Sequence, residues 1–197
     1  VAVIVSLIAS TLTGYGATRF KFKGKNAFLS FILMTQMFPS IMLLVPFYKI
    51  LSIYGLNNSL VGLCIVYVSF TIPFCSWMMV GYYRTIPLEI DESASIDGAS
   101  YMQTFIKITL PLVRPGIVSS AIYAFITCWN EYMFAAILLI DDKLKTAAVA
   151  IAEMNGYYRI AWNDMMAASL VASVPLLIAF IFMQKSFISG LTAGAVK

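Results

Sequence analysis

The sequence predicts an all-α membrane protein: five transmembrane helices, with a water-facing helical hairpin between the third and the fourth. Three observations point there. The chain is 61% apolar and 11% charged, where a soluble domain carries about 25% charged residues. Its mean hydropathy is +0.88, and its apolar residues gather into runs of bilayer-spanning length. Against that background one stretch, residues 87–111, is polar, acidic and rich in small side chains.

The runs follow in order. Residues 1–17 are apolar or small and end before Arg19, Lys21, Lys23 and Lys25; at about 1.5 Å per residue the run is just long enough to span. It opens at Val1 with no Met and no basic leader, so it reads as a fragment or a processed start rather than a signal peptide. Residues 27–51 form the second run, where Pro39 and Pro46 predict kinks that neighbouring helices can accommodate. A breaker-rich turn at 52–58 leads to the third run, 59–83, with a bend expected at Pro73. The fourth run is 116–140. Residues 141–164 form a loop with a short interfacial helix around 147–154, and the fifth run, 165–183, contains Pro175. Gly14/Gly16, Ala121/Ala124 and Ala167/Ala168 offer small-residue surfaces for helix packing. With no repeat, linker or soluble module, residues 1–197 read as a single transmembrane domain.

The polar stretch has its own punctuation. Pro87 suits a first helical turn, and Glu89, Asp91 and Glu92 sit where the positive end of the helix dipole favours acids. Gly98 ends that helix, since glycine takes the left-handed conformation without a Cβ clash. Ser100-x-x-Gln103 reads as a capping box opening a second helix, closed by Pro111 and Pro115. Small residues at the bend let another protein's backbone approach, and the acids keep the segment in water. A docking element and a plain solvated loop both fit this pattern.

Basic residues set the orientation. One set of connections carries Arg19, Lys21, Lys23, Lys25, Arg84, Lys107, Arg114, Lys185 and Lys197; the other carries Lys49, Lys143, Lys145 and Arg159. The first set is expected on the cytoplasmic side, together with the polar stretch and the C-terminus. Tyr82, Tyr83, Tyr157, Tyr158 and Trp162 fall near headgroup levels. Cys64, Cys75 and Cys128 lie inside apolar runs without metal-ligand spacing, and there is no histidine. No phosphate-binding loop or nucleophile motif is present either. Catalysis, a metal site, a cofactor and nucleic-acid binding are therefore not expected.

Glu92-Ser-Ala-x-x-Asp97-Gly98-Ala99, followed by Ile108-x-Leu110-Pro111, resembles the EAA loop of ATP-binding-cassette importer permeases. The resemblance implies a MetI-like core in which this loop is a cytoplasmic coupling helix seated in a groove of the ATPase subunit. It carries over to Glu92, Ala94, Gly98, Leu110 and Pro111, with Asp97 and Ala99 as accessory positions; Ser93 stands where the family usually has alanine. The resemblance also implies the partners: a second permease subunit, two ATPase subunits, an extracytoplasmic solute-binding protein and the bilayer of a prokaryotic plasma membrane. Relatives usually carry a further span upstream.

Further stretches are similar to the carbohydrate group of these permeases. Trp129-Asn-Glu-Tyr132 and Thr35-Gln36-Met37-Phe38-Pro39 mark Gln36, Asn130 and Glu131 as candidates for the translocation path. Glu131 has two readings, a pathway residue or an acid bonded to a neighbouring helix, because an acid at that depth needs a partner or water. The aromatics around Gln36 fit a sugar platform or ordinary helix packing. The ending Gly190-Leu-Thr-Ala-Gly-Ala-Val-Lys197 resembles that of maltose-type permeases, where the tail reaches into the ATPase dimer in some relatives; a frayed terminus is the other reading. Two rival functions remain: an ion-coupled carrier using Glu131, and an importer permease for a non-sugar polar solute.

Overall fold

Helices follow the apolar runs, but two of the runs are broken. The computed structural model describes residues 1–156 and 161–195, with side chains as far as Phe182. Helix α1 (Ala2–Arg19) is continuous. The second run divides into α2 (Lys25–Thr35), a 3-10 turn (Ser40–Leu43) and α3 (Leu44–Ile53), and turns through 92° at the division. Pro39 supplies the cause, since the residue before a proline is pushed out of the helical region. Pro46 interrupts nothing: in the first turn of α3 its missing N–H has no intrahelical partner to lose. Helix α4 (Leu60–Arg84) runs through Pro73 and is capped by the Ser59 hydroxyl, which accepts from the Val61 amide.

The polar stretch forms α5 (Leu88–Ile96), α6 (Tyr101–Thr104), a π-helical turn (Phe105–Thr109) and α7 (Leu110–Leu112). Pro115 does not close this hairpin as expected; it sits in the first turn of α8 (Arg114–Trp129), which lies at 72° to the preceding helical segment. The fourth run is also not one helix. It breaks at residues 130–132 and resumes as α9 (Met133–Leu138). The loop beyond holds α10 (Ala147–Glu153), close to the helix expected there, and the chain ends in α11 (Trp162–Ala195). In the loop before α11, Lys145 Nζ lies 2.6 Å from both Asp142 Oδ1 and Glu153 Oε1. The ammonium holds the Asp142 carboxyl below the usual carboxylate range. Tyr157, Tyr158, Arg159 and Lys197 lie outside the described residues, as do the side chains of Lys185 and of the 190–197 tail.

Among the described residues, α4 and the Trp162–Phe182 part of α11 are long and apolar enough to cross a membrane, and counting each bent pair as one span gives up to four. Helix α1 is not among them. Its Ser6, Ser10, Thr11, Gly14 and Ala17, spaced mostly three or four apart, are buried on one face that packs along α4. Small side chains let two helix backbones approach, and hydroxyls on such a face bond across the interface. The Ser6 and Thr71 hydroxyls meet at 2.6 Å, both fully buried. A Cβ at Gly14 would lie 2.8 Å from Met79 Cβ and 2.9 Å from Tyr83 Cδ2, whereas one at Gly16 would meet nothing within 4 Å. Gly116 is likewise closed off by the Tyr82 ring, which seats α8 on α4.

Two apolar clusters sit at opposite ends of α4. One gathers Ala2, Leu63, Val66, Phe134 and Leu139; the other gathers Tyr15, Met79, Tyr83, Ile86 and Val113. Asn58 closes the first end. With φ of 52° it takes a left-handed turn, its amide donates to the Leu138 carbonyl, and its Oδ1 accepts from the Ile140 and Asp141 amides at 2.9 Å. Helix α11 packs along α8, where Trp129 Nε1 donates to the Ala172 carbonyl at 3.1 Å, but no residue from Trp162 to Phe182 is buried and Ala167 is exposed. Such a face suits lipid or a further subunit.

Candidate functional site

The α5–α6 hairpin is built by local bonds that its residues dictate. Glu89 and Asp91 occupy the first turn of α5. At its end Gly98, with φ of 83°, donates its amide to Ser95 O at 3.1 Å, and Ala99 donates to Ala94 O at 2.9 Å. This pair of bonds is the Schellman arrangement, which satisfies carbonyls the helix would otherwise leave open. The predicted capping box is formed in full. Ser100 Oγ accepts from the Gln103 amide at 3.3 Å, and Gln103 Oε1 accepts from the Ser100 amide at 2.8 Å.

The hairpin has two faces. Inward, Ala94 is buried, Ala99 and Leu110 are half-buried, and Leu110 packs on the Tyr83 cluster. Outward, Glu92, Asp97, Gly98 and Pro111 are exposed. Exposed with them are apolar side chains to which the sequence reading gave no role: Ile96 at 87%, Tyr101 at 76% and Met102 at 62%. A shallow concavity of about 360 Å³ opens between Glu89, Ser93, Asp97 and Ile108.

Three further residues hold the hairpin in place. Asp91 Oδ2 lies 2.6 Å from Arg19 Nε, with side-chain exposures of 18% and 7%. Asp91 Oδ1 accepts from the Thr109 hydroxyl at 2.9 Å, so the two arms are joined across the bend. Arg19 also donates from its terminal nitrogen to the Ile86 carbonyl at 3.2 Å. Sequence reasoning took Asp91 for a dipole acid and Arg19 for a topology charge. Only their pairing, which no local pattern encodes, shows what they hold.

The path candidates lie at the two span breaks. Gln36 caps α2, and its Nε2 donates to the Phe70 carbonyl of α4 at 3.4 Å. Asn130 ends α8 and is exposed. Glu131 lies in the break two residues before α9: its Oε1 accepts from the Phe134 amide at 2.8 Å, and its Oε2 accepts from the Ala135 amide and the Tyr67 hydroxyl, both at 3.1 Å. Tyr67 and Phe70 are three residues apart and therefore share a face of α4. Both breaks thus abut one short stretch of the same helix, with Phe47, Phe70 and Phe134 packed between them at centroid distances of 5.1–6.0 Å. Removing the Glu131 carboxylate leaves two amides and a hydroxyl without their acceptor. Glu131→Ala is expected to cost about 2 kcal/mol of stability, and Glu131→Gln, which keeps an acceptor oxygen, less than half of that. Thermal unfolding of the detergent-solubilised subunit checks the order.

A helical bundle with apolar, interrupted spans and a polar hairpin between two of them fits the membrane component of a transport system. Residues 4–192 match the family described as binding-protein-dependent transport system inner membrane component, and the chain belongs to that family. Among its relatives, the trehalose/maltose transport system permease protein MalG of Thermococcus litoralis is 37% identical, over 98% of this chain and 70% of that protein. The maltodextrin transport system permease protein MdxG of Bacillus subtilis is 35% identical over the same shares. These relatives are transport subunits, not enzymes. The fold matches a bacterial ABC transporter involved in the import of the acidic polysaccharide alginate, with a TM-score of 0.73 and 21% identity over 94% of this chain and 73% of that one. It also matches the MetNI methionine ABC transporter, with a TM-score of 0.66 and 19% identity over 93% and 90%.

Proposed function

We propose that this chain is a permease subunit of an ATP-driven importer that carries a carbohydrate. Residues 1–197 act as one transmembrane domain in a prokaryotic plasma membrane. The partners are a second permease subunit, two ATP-binding-cassette ATPase subunits and an extracytoplasmic solute-binding protein. The observation that carries the reading is the outer face of the hairpin. A loop held off the bilayer has no reason to present Ile96, Tyr101 and Met102 to water, and clustered exposed apolar groups mark a surface that a partner covers. Glu92, Asp97 and Gly98 lie on that surface and form, with Ala94, Ala99, Leu110 and Pro111, the coupling site. The basic connections at Arg19–Lys25, Arg84 and Lys107–Arg114 support a cytoplasmic position for it and for the C-terminus.

In this mechanism ATP closes the ATPase dimer, and the grooves holding the coupling helices move together. The hairpin passes the displacement to α4 and α8, which flank it in the chain. A ligand or motor shifts a conformational equilibrium only through contacts that differ between states, so docking must tighten or loosen through the cycle. The two breaks, with Gln36, Asn130 and Glu131, give the path its polar lining, since non-helical backbone at membrane depth is tolerated where protein or water covers it. The carbohydrate assignment is supported by relatives named for trehalose, maltose and maltodextrin transport.

An ion-coupled carrier is the weaker reading, because the Glu131 carboxylate is engaged by three donors. The test is uptake by the reconstituted transporter, presented with a panel of sugars. Uptake is expected to stop when ATP hydrolysis is blocked and to ignore an imposed ion gradient. Uptake that persists on the gradient alone contradicts the proposal.

A further inference from the structure

We propose that Arg19 is a positioning residue that fastens α1 to the coupling hairpin, making α1 a strut that carries motion from the ATPase side to the broken spans. The proposal rests on the coupling role proposed above and adds a route that the chain connections do not provide. The hairpin is joined covalently to α4 and α8 only; α1 reaches it through space.

The attachment is made of two kinds of contact. A guanidinium as enclosed as that of Arg19 needs a partner for its charge and its N–H groups, since an uncompensated buried charge is strongly destabilising. Asp91 supplies the charge at 2.6 Å and Ile86 a carbonyl at 3.2 Å. Asp91 in turn holds Thr109, at the far arm of the hairpin. Around this link the end of α1 is wedged among aromatic rings. Tyr15 lies 4.7 Å from Phe105 and 5.8 Å from Tyr83, and Phe20 lies 5.8 Å from Tyr101. The end of α1 and the residue that follows it therefore touch α5, α6, the π-helical turn and the end of α4.

The far end of α1 is placed just as specifically. Ala2 is 6% exposed, inside the cluster that contains Phe134, Ala135 and Tyr67. Those are the residues that surround and bond Glu131 at the α8–α9 break. Between the two ends α1 is locked to α4 at Gly14 and at the Ser6–Thr71 pair. An 18-residue helix is about 27 Å long, so α1 joins the hairpin to the break without a joint between them.

The experiment uses the complete reconstituted transporter with its ATPase, partner permease and binding protein. Spin labels are placed at Leu12 on α1 and Leu88 on α5, exposed positions outside the proposed docking face, and the distance between them is measured without nucleotide and with ATP trapped. In the native sequence the distance is expected to be the same in both states, because α1 travels with the hairpin. Asp91→Asn keeps the shape and an acceptor for Thr109 but removes the charge. It is expected to lower solute transported per ATP hydrolysed by about fivefold or more, within the usual range of coupling terms, and to broaden the label distance. Arg19→Gln should behave alike, and Arg19→Lys should recover part of the loss. The proposal is overturned if the native distance changes between states, or if Asp91→Asn leaves transport per ATP unchanged. Should Arg19→Gln fail to assemble, the native distance and Asp91→Asn still decide. Failure of the coupling reading itself shows differently, as Gly98 variants that transport normally.

Discussion

Gly98→Trp is expected to abolish solute uptake while the subunit still inserts in the membrane and assembles. Two effects combine at this position. The backbone is left-handed, with φ of 83°, so any ordinary side chain there is strained by about 1–2 kcal/mol. A Cβ at Gly98 meets nothing within 4 Å, so the indole projects outward from the hairpin rather than into the subunit. On the proposed docking surface that bulk displaces the ATPase, and loss of a central contact of about 3 kcal/mol corresponds to roughly 100-fold in binding. The variants separate the effects. Gly98→Asn tolerates the left-handed turn and should keep most activity; Gly98→Ala should show only the strain. Uptake and ATPase stimulation by the binding protein, in proteoliposomes with equal amounts of assembled transporter, read all three.

Gly14→Leu is expected to produce a large loss of stability. The first added carbon already falls inside contact distance of Met79 and Tyr83, both fully buried. Overpacking a filled core costs about 1–3 kcal/mol or more per site, and here it also pries the Tyr15 and Arg19 contacts from the hairpin. For a chain of this length about 3 kcal/mol corresponds to a fall in Tm of roughly 6–12 °C. Gly16→Ala is the internal control. With no atom within 4 Å of the new Cβ, it should leave Tm unchanged or raise it slightly, because alanine favours helix by about 1 kcal/mol over glycine. Thermal unfolding of the purified subunit in detergent distinguishes the pair.

Those two glycines show how far the sequence could be read. Gly14 and Gly16 look alike in the chain and offer the same small-residue surface; which one faces α4 depends on where the helix lies. Short-range patterns were legible because their physics is local. The Gly98 terminus and the Ser100–Gln103 capping box form as read, since each involves residues at most a few positions apart. The runs also located the helices. What the runs could not reveal was continuity. Pro39 signalled a kink, and the chain makes a right-angled turn; Trp129-Asn-Glu-Tyr132 looked like polar residues inside a span, and it is a helix end whose acid caps the next helix. A carboxylate three or four residues before two free amides was the one signal that could have exposed this break. The Arg19–Asp91 pair had no local signal, because it joins two segments that only tertiary packing brings together.

The coupling reading is put to its sharpest test by a photo-crosslinking residue at Ile96 in the assembled transporter within native membranes. Ile96 is the most exposed large apolar side chain of the hairpin. The expected result is a crosslink to the ATPase subunit whose yield changes when ATP is bound, with position 96 out of reach of impermeant reagents added from outside the cell. Labelling of that position from the outer face, or a crosslink to the solute-binding protein instead, would contradict it.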